Sequence, residues 1–283
     1  MAVKRPSTSS RANEEKQQQD IEHMNDVIKA GETSDLFGSE NNVFKMLYGY
    51  RDEEGTVHTE FEVRDIDGRD TEAIHKADVK SNASKIVTTL LSRCVTRIGT
   101  IEQSATPQHK WIEIIRNLYV GDQDFMMLCL RRYSISEEIS VEHQCPSCKA
   151  KLKTTLHVDE VEVRPFITEE IEFDLPRGYT DKKGEIHKEG VMRLPKGIDR
   201  EVLAPIVKTN VARAETVMLT RIMKFGDGYP IDDSVTAALI LKDREYLTKL
   251  QQEFYFGLNL DIEITCDTCG ETFTGSLNAT NFL

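Results

Sequence analysis

The sequence predicts an α+β protein made of two tandem, pseudo-symmetric repeats. Each repeat reads as a β-hairpin, several helices and a second hairpin with a C-x-x-C tip. Three observations carry this. Residues 44–74 (FKMLYGYRDEEGTVHTEFEVRDIDGRDTEAI) align without a gap on residues 173–203 (FDLPRGYTDKKGEIHKEGVMRLPKGIDREVL). Residues 121–148 align in the same way on residues 242–269, and both of these blocks end in a C-x-x-C pair. Glycines, charges and cysteines coincide: Gly49/Gly178, Asp52/Asp181, His58/His187, Arg64/Arg193, Asp70/Asp199, Cys145/Cys266 and Cys148/Cys269. Such coincidence in two separate blocks predicts a duplication, which governs every later inference about the fold. The organisation expected is a flexible N-terminal arm over 1–40, repeat 1 over 41–158, a linker over 159–170 and repeat 2 over 171–283.

The arm begins with a polar, Ser-rich stretch, and residues 1–15 are expected to be disordered. Residues 14–31 then carry Ile21, Met24 and Ile28 at spacings of three and four, a thin amphipathic stripe. It suits a helix docked on its own protein or an arm that orders on a partner. Each repeat opens with two strand-like pieces around an Asp/Gly-rich turn, RDEEG in the first and PRGYTDKKG in the second. Asp70 and Asp199 follow a glycine turn and precede a helical pattern, where a short acid can cap backbone amides. Helices are expected over 83–99 and 212–226, each ended by glycine. Two more helical pieces follow in each repeat, in WIEIIRNLYVGDQDFMMLCLRRY and SVTAALILKDREYLTKLQQEF. Each repeat closes with period-two alternation on both sides of its cysteines, which reads as a hairpin with the C-x-x-C at its tip.

Composition narrows the function. A formal charge of −12 repels phosphate backbones and anionic membrane surfaces, so nucleic-acid and membrane partners are not expected. The longest apolar runs, FMMLCL (125–130) and AALIL (237–241), are far too short to span a bilayer. The first residues have no apolar core of a secretory signal, so the cytoplasm of the cell that makes the protein is the expected compartment. Six cysteines in 283 residues do not suggest a disulfide scaffold.

The cysteines suggest a metal. A tight turn brings two thiolates to one side, and zinc requires four ligands in a tetrahedron. Cys145, Cys148, Cys266 and Cys269 supply four, although a whole repeat separates the two pairs where paired knuckles ordinarily lie about 15–20 residues apart. Two repeats packed about a pseudo-twofold axis would bring equivalent tips together, so that one structural Zn2+ joins them. A zinc shared between two chains of a dimer, or redox-active or empty thiols, are the other options. A redox C-x-x-C wants a helix N-terminus, and these pairs sit between strands. Cys94 and Cys129 lie on apolar helical faces and read as core thiols.

Other polar groups read as scaffold. His58 and His187, each two residues before a glutamate, are expected to make local hairpin hydrogen bonds. Arg64 with Asp70, and Arg193 with Asp199, suit ion pairs between strand and helix start. Asp122 and Asp243 suit a helix opening, where acids face the positive end of the dipole. No nucleophile elbow, HExxH, Walker loop or dinucleotide fingerprint occurs, so neither an enzyme nor a small-molecule substrate is expected.

The order of a charged hairpin, TTLLSRCVTRIG, GDQDFMMLCLRRYSISEEI and a β-stretch into CPSC resembles baseplate and tail-assembly proteins of T-even-like contractile-tailed bacteriophages. Leu90, Leu91, Arg93, Gly99, Asp122, Leu128, Leu130, Arg131, Arg132, Cys145 and Cys148 carry the resemblance. The second copy keeps Leu219, Arg221, Gly226, Asp243, Leu247, Cys266 and Cys269, but has Gln252-Glu253 where the first has Arg131-Arg132. The resemblance implies a non-catalytic baseplate-hub or tail-assembly protein. It would sit in the virion tail, or in the host cytoplasm during assembly, with other phage tail proteins as partners. A zinc-ribbon regulator of transcription or translation would share the knuckles, but its binding face should be basic.

Overall fold

The computed structural model describes residue 19, residues 21–28 and residues 42–277. The disorder expected over 1–15 lies outside the described residues, as do both ends of the helix expected over 14–31. Residues 21–28 are helical (α1), with Ile21 and Met24 buried and Ile28 half-buried.

The chain divides into two compact units that do not follow chain order. Among the described residues, the first comprises those up to Pro165 together with those from Gly257 to Leu277, and the second is Phe166–Phe256. The architecture is mixed α+β with several small antiparallel sheets.

In the first unit, β1 (Val43–Arg51), β2 (Val57–Val63), β3 (Val95–Ile98) and β4 (Ile101–Glu102) form an antiparallel sheet in that order. Helices α2 (Gly68–Ile74), α3 (Ala77–Lys80), α4 (Ala83–Cys94), α5 (Gln108–Asn117) and α6 (Val120–Ser134) complete this part. Asn82 caps α4 through Ser84 N–H and Lys85 N–H. The helix expected to run to Gly99 stops at Cys94. Its last residues, Val95–Ile98, pair with β2 instead, as suits a β-branched run. Phe61, Leu90, Leu91, Trp111, Ile115 and Phe125 form the centre of the core. Helix α6 is buried continuously from Gly121 to Arg131, so it shows no amphipathic stripe.

Two hairpins and a strand pair finish this unit. They are β5 (Glu138–Gln144) with β6 (Lys151–His157), β7 (Val163–Arg164) with β11 (Gly257–Leu258), and β12 (Asp261–Thr265) with β13 (Thr272–Ser276). Residues 159–170, read from sequence as a linker, thus contain a strand that receives the returning chain.

In the second unit, β8 (Glu170–Thr180), β9 (Ile186–Arg193) and β10 (Met223–Phe225) form a three-stranded antiparallel sheet. Its helices are α7 (Gly197–Val207), α8 (Val211–Ile222), α9 (Asp233–Ala238) and α10 (Leu241–Glu253). Here too the expected helix ends early, at Ile222, and Met223–Phe225 joins the sheet. No helix among the described residues is long and apolar enough to cross a membrane.

Candidate metal centre

Each C-x-x-C pair occupies a hairpin tip. After the last rung, Gln144 opposite Lys151, the Cys145 N–H donates to Ala150 O at 3.0 Å and the Lys149 N–H donates to Cys145 O at 3.0 Å. The second tip repeats this beyond Thr265 and Thr272. The Cys266 N–H donates to Glu271 O at 2.8 Å and the Gly270 N–H donates to Cys266 O at 2.8 Å. The residue four after each first cysteine is left-handed: Gly270 at φ 75° and Lys149 at φ 62°. Glycine adopts that conformation freely, whereas a side chain makes it cost about 1–2 kcal/mol.

Both tips belong to the first unit, because the chain after Gly257 returns to it. Two close approaches allow that return. A Cβ on Gly257 would lie 2.6 Å from the Cα of Gly121, so β11 rests against the start of α6 through two glycines. A Cβ on Gly275 would meet Ile264 at 2.5 Å and the ring of His143 at 2.8 Å, so its absence lets β13 lie against β5.

The sulfurs pair across the tips, Cys145 Sγ to Cys269 Sγ at 3.7 Å and Cys148 Sγ to Cys266 Sγ at 3.6 Å. All four lie within 4.8 Å of one another. A disulfide needs about 2.05 Å, and all four cysteines are free. A zinc ion with bonds of about 2.3 Å would place tetrahedral sulfurs roughly 3.8 Å apart, so the donor set fits the ion. Cys145 and Cys266 are buried, while Cys148 and Cys269 are exposed.

The thiols of the cluster are shifted in opposite directions. The Cys269 N–H brings the Cys266 thiol down to about 6, helped by the Thr268 N–H and opposed by desolvation. At Cys148 the Ala150 N–H acts in the same direction, but desolvation and the three neighbouring sulfurs outweigh it and raise the thiol to about 12. Hydrogen bonding among the sulfurs thus moves the two thiols in opposite directions. Cys94 and Cys129 lie outside the cluster. Burial raises both, Cys94 to about 12 with Asp70 adding to the effect, and Cys129 well above its ordinary value.

The remaining polar residues hold the scaffold. Asp70 is fully buried and accepts from Arg64 Nη1 at 2.7 Å, Arg64 Nη2 at 2.9 Å, Arg93 Nε at 2.7 Å and the Asp67 N–H at 3.0 Å. Asp199 repeats the arrangement with Arg193 Nη1 at 2.7 Å, Arg193 Nη2 at 3.0 Å, Arg221 Nε at 2.7 Å and the Lys196 N–H at 2.9 Å. Burial raises both carboxyls, yet these donors outweigh it and hold them below the ordinary range. His58 Nε2 lies 3.0 Å from Asp52, and His187 Nδ1 lies 2.5 Å from Asp227.

Sequence reasoning missed the role of Asp122 and Asp243. Between Lys45 and Tyr50 the β1–β2 register slips, and residues 46–49 face Thr59 alone. That bulge frees two amides, and Asp122 accepts from both, Tyr48 N–H at 3.0 Å and Gly49 N–H at 3.1 Å. The β8–β9 register slips between Asp174 and Tyr179, and Asp243 accepts from Arg177 N–H and Gly178 N–H at 2.9 Å each. The glycines aligned at 49 and 178, with φ of 117° and 81°, were the available signal. Burial pushes the Asp122 carboxyl up to about 7, against the Gly49 N–H that lowers it.

The family model described as T4 bacteriophage base plate protein matches residues 59–277. No curated protein and no solved structure matches the chain. The match runs from within β2 to just past β13 and takes in the three-stranded sheet, the two bulge-binding aspartates and all four clustered cysteines, while β1 lies before it. The chain therefore belongs to the T4 bacteriophage base plate protein family.

Proposed function

We propose that the protein is a non-catalytic component of a phage baseplate hub, or of the machinery that assembles the tail. It acts through protein–protein contacts and is stabilised by one structural zinc ion. The family match over residues 59–277 carries this reading, and other phage tail proteins are the partners it implies. Four thiolates fill the tetrahedron, so the ion offers no open position to a substrate and serves as a clamp. The residues that would hold it are Cys145, Cys148, Cys266 and Cys269, one pair from each of two tandem sequence repeats. The matching devices at Asp70/Asp199 and Asp122/Asp243 support a duplicated origin for those repeats. The acidic charge of −12 counts against the regulator with zinc ribbons.

Two measurements test the proposal. Native mass spectrometry of the monomer should show one zinc, lost with any of the four cysteines. An ion bound only between two chains, or none with four free thiols, would defeat the metal assignment. Affinity capture from phage-infected cells, with the finished particle examined separately, should recover tail or baseplate proteins. Failure to associate with any of them would defeat the assembly role.

A further inference from the structure

We infer that a cleft in the first unit binds carboxylates presented by an acidic peptide segment of a partner. The cleft has a volume of about 460 Å³ and opens between α4, α5 and the loop after β4. Arg64, Arg69 and Arg93 line it together with hydroxyl and amide side chains, and no aspartate or glutamate does. That is unusual in a chain of net charge −12. Asp70 pairs with Arg64 and Arg93, and Asp67 pairs with Arg69, so three guanidinium groups meet two carboxylates and one positive charge is left over.

The arrangement is prepared for an anion. Arg93 gives its Nε to buried Asp70 at 2.7 Å, which fixes the plane of the guanidinium. Its two Nη groups are engaged by no other described residue, and its side chain is 36% exposed. A planar guanidinium held this way presents the paired donors that a carboxylate accepts. Arg69 is 81% exposed, and its contact with Asp67 is a surface ion pair of small worth, so it can swing to a ligand. Ser104 and Gln108 add uncharged donors to the lining. The second unit repeats the buried ion pairs but has Ile198 in the place of Arg69 and Lys196 in the place of Asp67. The surplus arginine is therefore not required by the shared scaffold. A polynucleotide would meet the repulsion of the whole chain, whereas a short acidic segment meets mainly the local field.

The test uses Trp111, the only tryptophan of the chain, which lines the cleft and donates its indole N–H to Ser92 O at 3.0 Å. Its fluorescence is followed as full-length protein is titrated with a pentaglutamate peptide, a pentaglutamine peptide or inorganic phosphate at low salt. Pentaglutamate should give a saturable change at or below about millimolar concentration, and pentaglutamine none. Arg69→Gln and Ser104→Glu, both at exposed positions whose side chains do not bond Asp70, should each weaken pentaglutamate roughly tenfold while melting like the parent. A flat pentaglutamate titration would overturn the inference. So would equal binding by the parent and both variants, or saturation by phosphate without saturation by pentaglutamate.

Discussion

The two bulged hairpins use one device in different surroundings. In β1 the freed amides go to Asp122, which stands on a helix buried from Gly121 to Arg131. In β8 they go to Asp243, on a helix where only Asp243 and Leu247 are buried. The sequences follow that difference. Helix α6 reads GDQDFMMLCLRR, while α10 reads KDREYLTKLQQE and keeps charge on its outer side. The amides freed in β1 are buried and must find an acceptor, whereas those freed in β8 are part-buried and take the same kind of acceptor. How much of the helix is covered depends on what else packs there. In the first unit β11 rests on α6, and the two knuckles belong to that same unit.

This contrast can be broken most forcefully at the cysteines. Cys145→Ser and Cys266→Ser should each abolish metal retention and lower stability by several kcal/mol. Structural zinc binding in small domains is worth about 10–16 kcal/mol and is coupled to folding. Hydrogen exchange should show the loss in residues 42–165, with the amides of β8 and β9 retaining their protection. Equal loss in both units would show that the ion is not a device of the first unit alone.

Gly257→Ala comes next. The added methyl meets the backbone of Gly121, and the residue sits at φ 112°, so a cost of about 3 kcal/mol is expected in urea titrations. Gly178→Ala also places a residue in left-handed backbone, and its methyl would lie 2.7 Å from His187 O as well as against the Lys188 side chain, so a cost of similar size is expected.

Asp122→Ala should cost about 2–3 kcal/mol by leaving two buried amides without an acceptor, and Asp243→Ala less, because the Arg177 and Gly178 amides are part-buried and within reach of water. Equal costs would show that the surroundings of the two bulges do not matter. A pH series separates Asp122 from the ion-paired acids. Its folded pKa, about 7, lies above its ordinary value, so its contribution is complete below about pH 4 and is lost as pH rises through 7. Asp70 and Asp199 behave in the opposite sense. Their folded pKa values are depressed, so their contribution is present above the ordinary carboxylate range and lost as pH falls through the depressed values. Asp122→Asn should therefore flatten the fall in stability between about pH 4 and pH 7 and leave the acid limb unchanged.

The smallest effect compares the knuckles directly. Lys149→Gly should stabilise by about 1 kcal/mol, because it removes a side chain from left-handed backbone. Gly270→Lys should destabilise by a similar amount. Thermal melts of the zinc-loaded protein would check both signs.

The sequence by itself determined the hairpins, the helices and the four-cysteine set. Period-two alternation, turn glycines and C-x-x-C spacing are local consequences of backbone geometry, and local geometry is written in local residues. It also determined the Arg64–Asp70 and Arg193–Asp199 pairs, whose partners stand six residues apart. It misjudged where the helices before Val95 and Met223 stop, because their last residues are claimed by sheet pairing and not by helix propensity. Only the tertiary structure decided that the segment from Gly257 onward returns to the first unit. The return depends on two glycine contacts and a two-residue strand pair between positions far apart in the chain. Only it decided that Asp122 and Asp243 bind strand amides instead of merely opening helices. A carboxylate's partner across more than sixty residues is fixed by packing, and no spacing in the sequence encodes it.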